Sequence, residues 1–333
     1  MAVKDKAGKI AEKSTTIKTT ANQVAESITS GKTYISNTNI KDGYGNNVKV
    51  PAGFKIASDS GKNVTEGVVI EDVSAGDNNT KGNQYVWVPI GNIKTNTSGG
   101  TKTVTLGRYD FNVNEQGTGT GASTLRQSAD NYTEVVTLVG YAQELTSSSY
   151  GNTVAKNLGD FITKAKNAGG YYIGRYEAGK VSGNTNTFNI KKNQNVYNNV
   201  TQPKSATLSR NLYSSNNNFQ SDLVNSYAWD TAIVFIQAFS GDSKYSGQQP
   251  LQRSIATTGN AHSGSTYDVR CNIYDMAGNV SEFSTETWTE SKSVPCTDRG
   301  GDYSYGKNYT AYRYRRSPSL TTNIRGFRSI LYL

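Results

Sequence analysis

The sequence predicts an α+β fold, on three observations. Short β-prone runs recur between clusters of turn residues. Two longer stretches repeat apolar residues at helical spacing. The 22 Tyr, 9 Phe and 3 Trp supply core material that disordered chains lack. Only 35% of residues are hydrophobic and 18% charged, and Asn, Thr, Ser, Gly and Tyr dominate the rest. That balance suits a loop-heavy extracellular or virion protein better than a cytoplasmic enzyme. A chain of 333 residues accommodates one large domain with an appendage, or two domains.

In chain order, Val3, Ala7, Ile10, Ser14, Ile17, Ala21, Val24 and Ile28 fall at alternating spacings of four and three, which places them on one helical stripe. Gly31 stops the pattern. Such a helix cannot bury its stripe alone, so residues 1–32 are expected either to form a stem that joins copies of the chain through residues 3–28 or to pack on their own domain. Residues 33–83 read as a β-rich section, with strands at 49–56 (KVPAGFKI) and 67–73 (GVVIEDV). A third strand follows at 84–90 (QYVWVPI). The glycines of 116–135 lack both a strand leading into them and a following Lys-Ser/Thr, so they are not a phosphate loop. A helix is predicted over 154–167, ended by Gly169 and Gly170, and a second over 226–239 (SYAWDTAIVFIQAF). The Asn-rich 180–225 and residues 240–268 read as elaborated loops. SILYL at 329–333 reads as a closing strand.

The last third carries DMAGNVSEF at 275–283, RGGDYSYG at 299–306, YRYRR at 312–316 and RGFR at 325–328. That order resembles the C-terminal half of the formylglycine-generating enzyme, or sulfatase-modifying factor, family. The resemblance implies a C-type-lectin-like domain over 84–333, in which YVWVPI is the first core strand and Glu177 is structural. The same fold, ending in the same GFR signature, serves the variable ligand-binding proteins of diversity-generating retroelements, so an oxidase and a binding module both come into view. The family's oxidases hold copper on two cysteines just after the Gly-Gly pair. Here Tyr305, Thr310 and Ala311 stand in that segment, and neither phenol nor methyl holds soft copper(I). The expectation is therefore a non-enzymatic ligand-recognition protein of a cell surface or virion, with a protein or glycan as its ligand. A structural filament subunit assembled through the N-terminal helix is the alternative.

Tyrosine offers large contact area with few rotatable bonds, and Ser, Asn and Asp add adaptable hydrogen bonds. The expected ligand surface is therefore Asp302, Tyr303, Tyr305, Lys307, Asn308, Tyr309 and Arg316, whereas Tyr312 and Tyr314 are expected to line one face of a core strand. Between residues 299 and 328 one lysine and six arginines face a single aspartate. Arginines among tyrosines could bind nucleic acid, but the resemblance places these arginines inside the domain as loop clamps, so no nucleic acid is expected. Asp275, Asn279 and Glu282 offer oxygen donors that could hold calcium; the other reading of Asn279 is a turn. No other cofactor is implied. Cys271 and Cys296 could close a loop of about 26 residues, worth ~3 to 4 kcal/mol as a disulfide, or stay as buried thiols. His262 is the only histidine, and a Gly/Ser loop is a poor seat for a catalytic base. No run of about 18 apolar residues offers a membrane span, and the first residues lack the apolar core of a signal peptide.

Overall fold

The computed structural model describes residues 3–4, 10–11, 26–111, 124–126, 131–134, 155–249, 268–291, 293–304 and 308–333. Among them the strands used below are, in chain order, Phe54–Ile56 (β1), Val69–Asp72 (β2), Gln84–Pro89 (β3), Tyr132–Thr133 (β4), Gly170–Gly174 (β5), Gly179–Val181 (β6), Asn184–Asn189 (β7), Gln220–Leu223 (β8), Ser281–Trp288 (β9), Cys296–Arg299 (β10), Arg313–Arg316 (β11), Arg325–Phe327 (β12) and Ser329–Tyr332 (β13). The described residues hold three α-helices, Leu158–Ala168 (α1), Gln202–Asn211 (α2) and Ser226–Phe239 (α3). This is a β-rich arrangement consistent with the α+β class.

One sheet runs β8-β13-β5-β3-β2-β1, every neighbouring pair antiparallel. Its central strands are buried on both faces because successive side chains alternate. On β5 the Tyr171 hydroxyl donates to the Ala228 carbonyl of α3, and the next hydroxyl, of Tyr172, donates the other way to the Lys49 carbonyl at 3.1 Å. Trp87 of β3 packs on Tyr172 with ring centroids 4.9 Å apart. β1 and β2 come from the section before residue 84, so the expected boundary there falls inside one continuous sheet and core. A second sheet runs β4-β9-β10-β11, with β12 pairing in parallel on β9.

The N-terminal stem helix is corrected at the described positions. Val3–Lys4 pairs antiparallel with Ile10–Ala11, and Glu26–Ser27 pairs in parallel with Ile40 and Lys41. β-branched residues on the supposed stripe, such as Val3 and Ile10, favour the pleated conformation. The other residues of 1–25 lie outside the described set.

The later helices begin on side-chain caps. Asn157 accepts from the Asp160 amide and Asn225 from the Ala228 amide, both at 2.9 Å, and Gly169 ends α1 in the left-handed region at φ 75°. α2 lies inside the stretch expected to be loop. Thr201 caps it, Pro203 sits in its first turn, and its buried face is Gln202, Ser205, Ala206, Leu208 and Ser209, too polar to register as an apolar stripe.

Glu134 joins the N-terminus of α3 to β9. Its carboxylate accepts from the Ser226 amide at 2.6 Å and the Thr285 hydroxyl at 2.9 Å. Burial, aided by the Glu286 charge, pushes this carboxyl from 4.5 up to about 7. A carboxyl raised in the folded state contributes stability that is full below the unfolded value and lost as pH rises through the folded one. Glu134→Gln keeps the acceptor for Ser226 and cannot ionise. Its melting temperature relative to the wild type is therefore expected to climb between pH 4.5 and 8, by an amount corresponding to about 3 kcal/mol. A constant difference across that range would show that Glu134 ionises freely.

Candidate ligand-binding site

The site forms where β10 turns toward β11. Gly300 follows β10 at φ 73°, and a Cβ on it would stand 2.5 Å from the Met276 carbonyl oxygen, so only glycine makes this turn. β11 returns antiparallel to β10, with Asp298 opposite Tyr314 and Cys296 opposite Arg316. As an edge strand it sends Tyr312, Tyr314 and Arg316 to one side and Arg313 and Arg315 to the other.

The inward side is fastened by buried charge. Arg313 and Arg299 both reach Asp230 of α3 and Glu286 of β9, and Arg108 adds a third contact to Glu286 at 2.8 Å. Burial by itself would raise the Glu286 carboxyl, but Arg313, Arg299 and Arg108 together hold it far below the carboxylate range. Trp229 covers the Arg299 guanidinium at 5.6 Å and donates its indole N–H to the Thr310 carbonyl at 2.9 Å.

The outward side bounds a cavity of about 250 Å³ between the 300–304 turn, β11 and residues 324–325. Tyr312 and Tyr314 stack beside it, centroids 5.8 Å apart and planes at 29°, and Tyr314 is 40% exposed. The Arg316 guanidinium lies 4.0 Å over the Tyr314 ring. Arg316 and Arg325 each donate an Nε–H to Asp298 Oδ2, at 2.6 and 2.7 Å, which fixes both guanidiniums and offsets part of their charge. On the opposite wall the Asp302 carboxylate accepts from the Ser304 amide at 2.9 Å and hydroxyl at 2.5 Å, and from the Ser281 hydroxyl at 3.4 Å. The result is a small recess with stacked phenols on one side and fixed hydrogen-bonding groups on the other.

Of the expected ligand residues, Asp302 and Arg316 line this recess. Tyr303 is half-buried beside it, its hydroxyl accepting from Asn323 Nδ2 at 2.9 Å. Asn308 and Tyr309 pair as a short strand with Gln248–Gln249; their side chains, and all of Tyr305 and Lys307, lie outside the described residues, as does His262. The expectation for Tyr312 and Tyr314 is reversed: they line the recess and not the core, because the edge position of β11 leaves that face uncovered. Ser281, Ile324 and Arg325 were not anticipated, since only the tertiary fold brings β9 and the GFR segment to the turn.

The calcium candidates are committed elsewhere. Glu282 is chelated by Arg328, whose Nε and Nη2 donate at 2.9 and 2.6 Å, and Asn279 donates to Glu177. Asp275 is buried with φ 60° in the turn. Burial, then the Asp275 and Glu282 charges, push the Glu177 carboxyl well above its ordinary range. Arg328 is thus the cationic partner of Glu282. No group of three or more His, Cys, Asp or Glu side chains placed to hold a metal occurs among the described residues. Of the two readings offered for the cysteines, the structure has the thiols: Cys271 and Cys296 are unbridged. Cys271 Sγ faces the Thr65 carbonyl at 3.6 Å, whereas Cys296 Sγ faces Gln202 Oε1 at 3.7 Å. Burial pushes the Cys271 thiol up to about 12 and raises that of Cys296 too, so neither forms a reactive thiolate near neutral pH.

No family model matches the chain, and no curated protein matches it. Among solved structures, the crystal structure of CarF aligns at 17% identity and a TM-score of 0.32, covering 41% of this chain and 67% of that one. A likeness of that size carries no argument about fold or function. No helix among the described residues is long and apolar enough to cross a membrane.

Proposed function

We propose that this chain is a non-enzymatic recognition protein of a cell surface or virion, built on a C-type-lectin-like domain of the sulfatase-modifying-factor type. Its ligand would bind at the recess between the 300–304 turn and β11, as a protein or glycan group. The observation that carries this reading is the pairing of stacked, partly exposed Tyr312 and Tyr314 with the hydrogen-bonded Asp302 and Arg316 in one cavity. Rigid amphipathic rings beside fixed polar groups are the chemistry of a recognition surface. An oxidase reading is disfavoured by buried Thr310 and Ala311 after the Gly-Gly pair and by two thiols held in their protonated form.

The test is binding of the purified chain to a panel of bacterial cells and glycans, beside a Tyr312→Ala/Tyr314→Ala variant. Both rings face outward, so the melting temperature is expected to stay within a few degrees while binding falls by ten-fold or more, as for aromatic anchors at about 2 kcal/mol or above. Equal binding by both proteins would remove the recess from consideration.

A further inference from the structure

We infer that the recess is one end of a longer binding surface, which takes an extended, neutral oligosaccharide running over residues 322–325 into a second groove. This rests on the recognition reading above.

The second groove has a volume of about 810 Å³ and lies between the β6–β7 hairpin and residues 193–199. Residues 322–325 adjoin both depressions. Ile324 and Arg325 line the recess, while Asn198 and Asn199 line the groove. The Asn199 amide donates to the Thr322 carbonyl and Asn198 Nδ2 to the Asn323 carbonyl, each at 2.9 Å. Asn323 in turn donates to the Tyr303 hydroxyl, and Arg325 Nη1 donates to Thr322 Oγ1 at 3.0 Å. Gly326 holds the two sides close, since a Cβ there would stand 3.2 Å from Val196 Cγ1. The ridge is thus braced from both sides, and its crest at Asn323 is exposed.

The chemistry of the two depressions selects the occupant. The recess alone is smaller than the about 300 Å³ at which drug-sized pockets begin, which suits a single ring set against Tyr312 and Tyr314. The groove is walled by side-chain amides and hydroxyls, among them Asn184, Thr185, Asn193, Gln194 and Asn195. Amides present donors and acceptors together, the match for a chain of hydroxyl and acetamido groups. Its one ammonium, Lys180, is already held by Asn198 Oδ1 at 2.7 Å, and the recess arginines share Asp298, so neither end calls for a charged ligand. A peptide would want apolar slots for alternate side chains, and Val181 and Tyr197 are the only large apolar residues lining the groove.

The experiment titrates the full chain with chito-oligosaccharides and malto-oligosaccharides, from monosaccharide to hexasaccharide, by calorimetry, and screens a peptide library in parallel. Tyr314→Ala and the groove variant Thr185→Ala/Asn195→Ala, both altering exposed side chains, are measured beside the wild type. Affinity in one series is expected to rise with length. The groove variant should lose roughly ten-fold for the longest member and nothing for the shortest binder, while Tyr314→Ala should weaken every length. Length-independent affinity, or a groove variant equal to the wild type while Tyr314→Ala still abolishes binding, would overturn this inference and leave the recess in place. Saccharide binding untouched by Tyr314→Ala would instead overturn the recess itself. Binding of peptides with no saccharide bound in either series would overturn the choice of ligand.

Discussion

Removing residues 329–333 is expected to leave a chain that does not fold. These residues form β13 and the terminal Leu333, and β13 is an interior strand hydrogen-bonded to β8 on one side and β5 on the other. Ile330, Leu331, Tyr332 and Leu333 are all buried, and Tyr332 meets Phe161 of α1 edge to face at 5.4 Å. At about 1.5–3 kcal/mol per large apolar side chain, their loss alone is on the order of 10 kcal/mol, comparable to the whole stability of a domain. The amides and carbonyls of β5 and β8 would lose their ladder partners as well. Circular dichroism and hydrogen exchange of the truncated chain measure this; a cooperative melt near that of the full chain would refute the central position of β13.

The second large effect is expected at Arg328. Its guanidinium is fully buried and uses its planar fork, with Nε and Nη2 on Glu282, Nη1 on the Gly174 carbonyl at 2.8 Å and Nη2 on the Tyr274 carbonyl at 2.7 Å. It ties β9, β5 and the turn before residue 275 to one another. Arg328→Ala strands the Glu282 carboxylate in the interior, which costs about 3–5 kcal/mol, or about 1–2 °C of melting temperature for each of those kilocalories in a chain of this length. Arg328→Lys should recover little, because an ammonium cannot span both carbonyls and the carboxylate. Burial already raises the Glu282 carboxyl despite Arg328, and without the guanidinium it rises further. The sign follows: the damage should be mild at pH 5, where Glu282 takes up a proton, and greater at pH 8. A second change, Glu282→Gln, should recover part of the loss, and thermal melts of the four proteins form the cycle that measures it. A loss that is equal at both pH values and unrelieved by the second change would mean that Arg328 acts by packing alone.

Much of the architecture is legible in local sequence. The 226–239 helix was readable from its run of apolar positions, and α1 from its stripe and its Gly-Gly end. α2 was not, since Gln202, Ser205 and Ser209 interrupt its buried face and leave no apolar period. At its described positions the 3–28 stripe shows the opposite failure, because Val3 and Ile10 fit either a helix or short strands until a partner chooses. At the proposed site, the composition of residues 302–316 drew attention to the segment that borders the recess, yet it singled out Tyr303 over Tyr312 and Tyr314. The alternation 312, 314, 316 was visible; what could not be seen was that β11 lies at a sheet edge with one face open.

The sequence by itself determined the elements whose signal is local: the capped helices, the β-prone runs, the Gly-Gly turn and the dense grouping of tyrosine and arginine near the C-terminus. Only the tertiary structure decided which of those side chains meet solvent. Arg299 and Arg313 go to Asp230 and Glu286, Arg328 goes to Glu282, and Arg316 with Arg325 goes to Asp298 at the edge of a cavity. The physical reason is that a buried guanidinium must find a carboxylate, and every one of these ion pairs joins residues at least thirteen positions apart in the chain. Such pairings are set by the packing of whole sheets and helices and leave no periodic trace along the sequence.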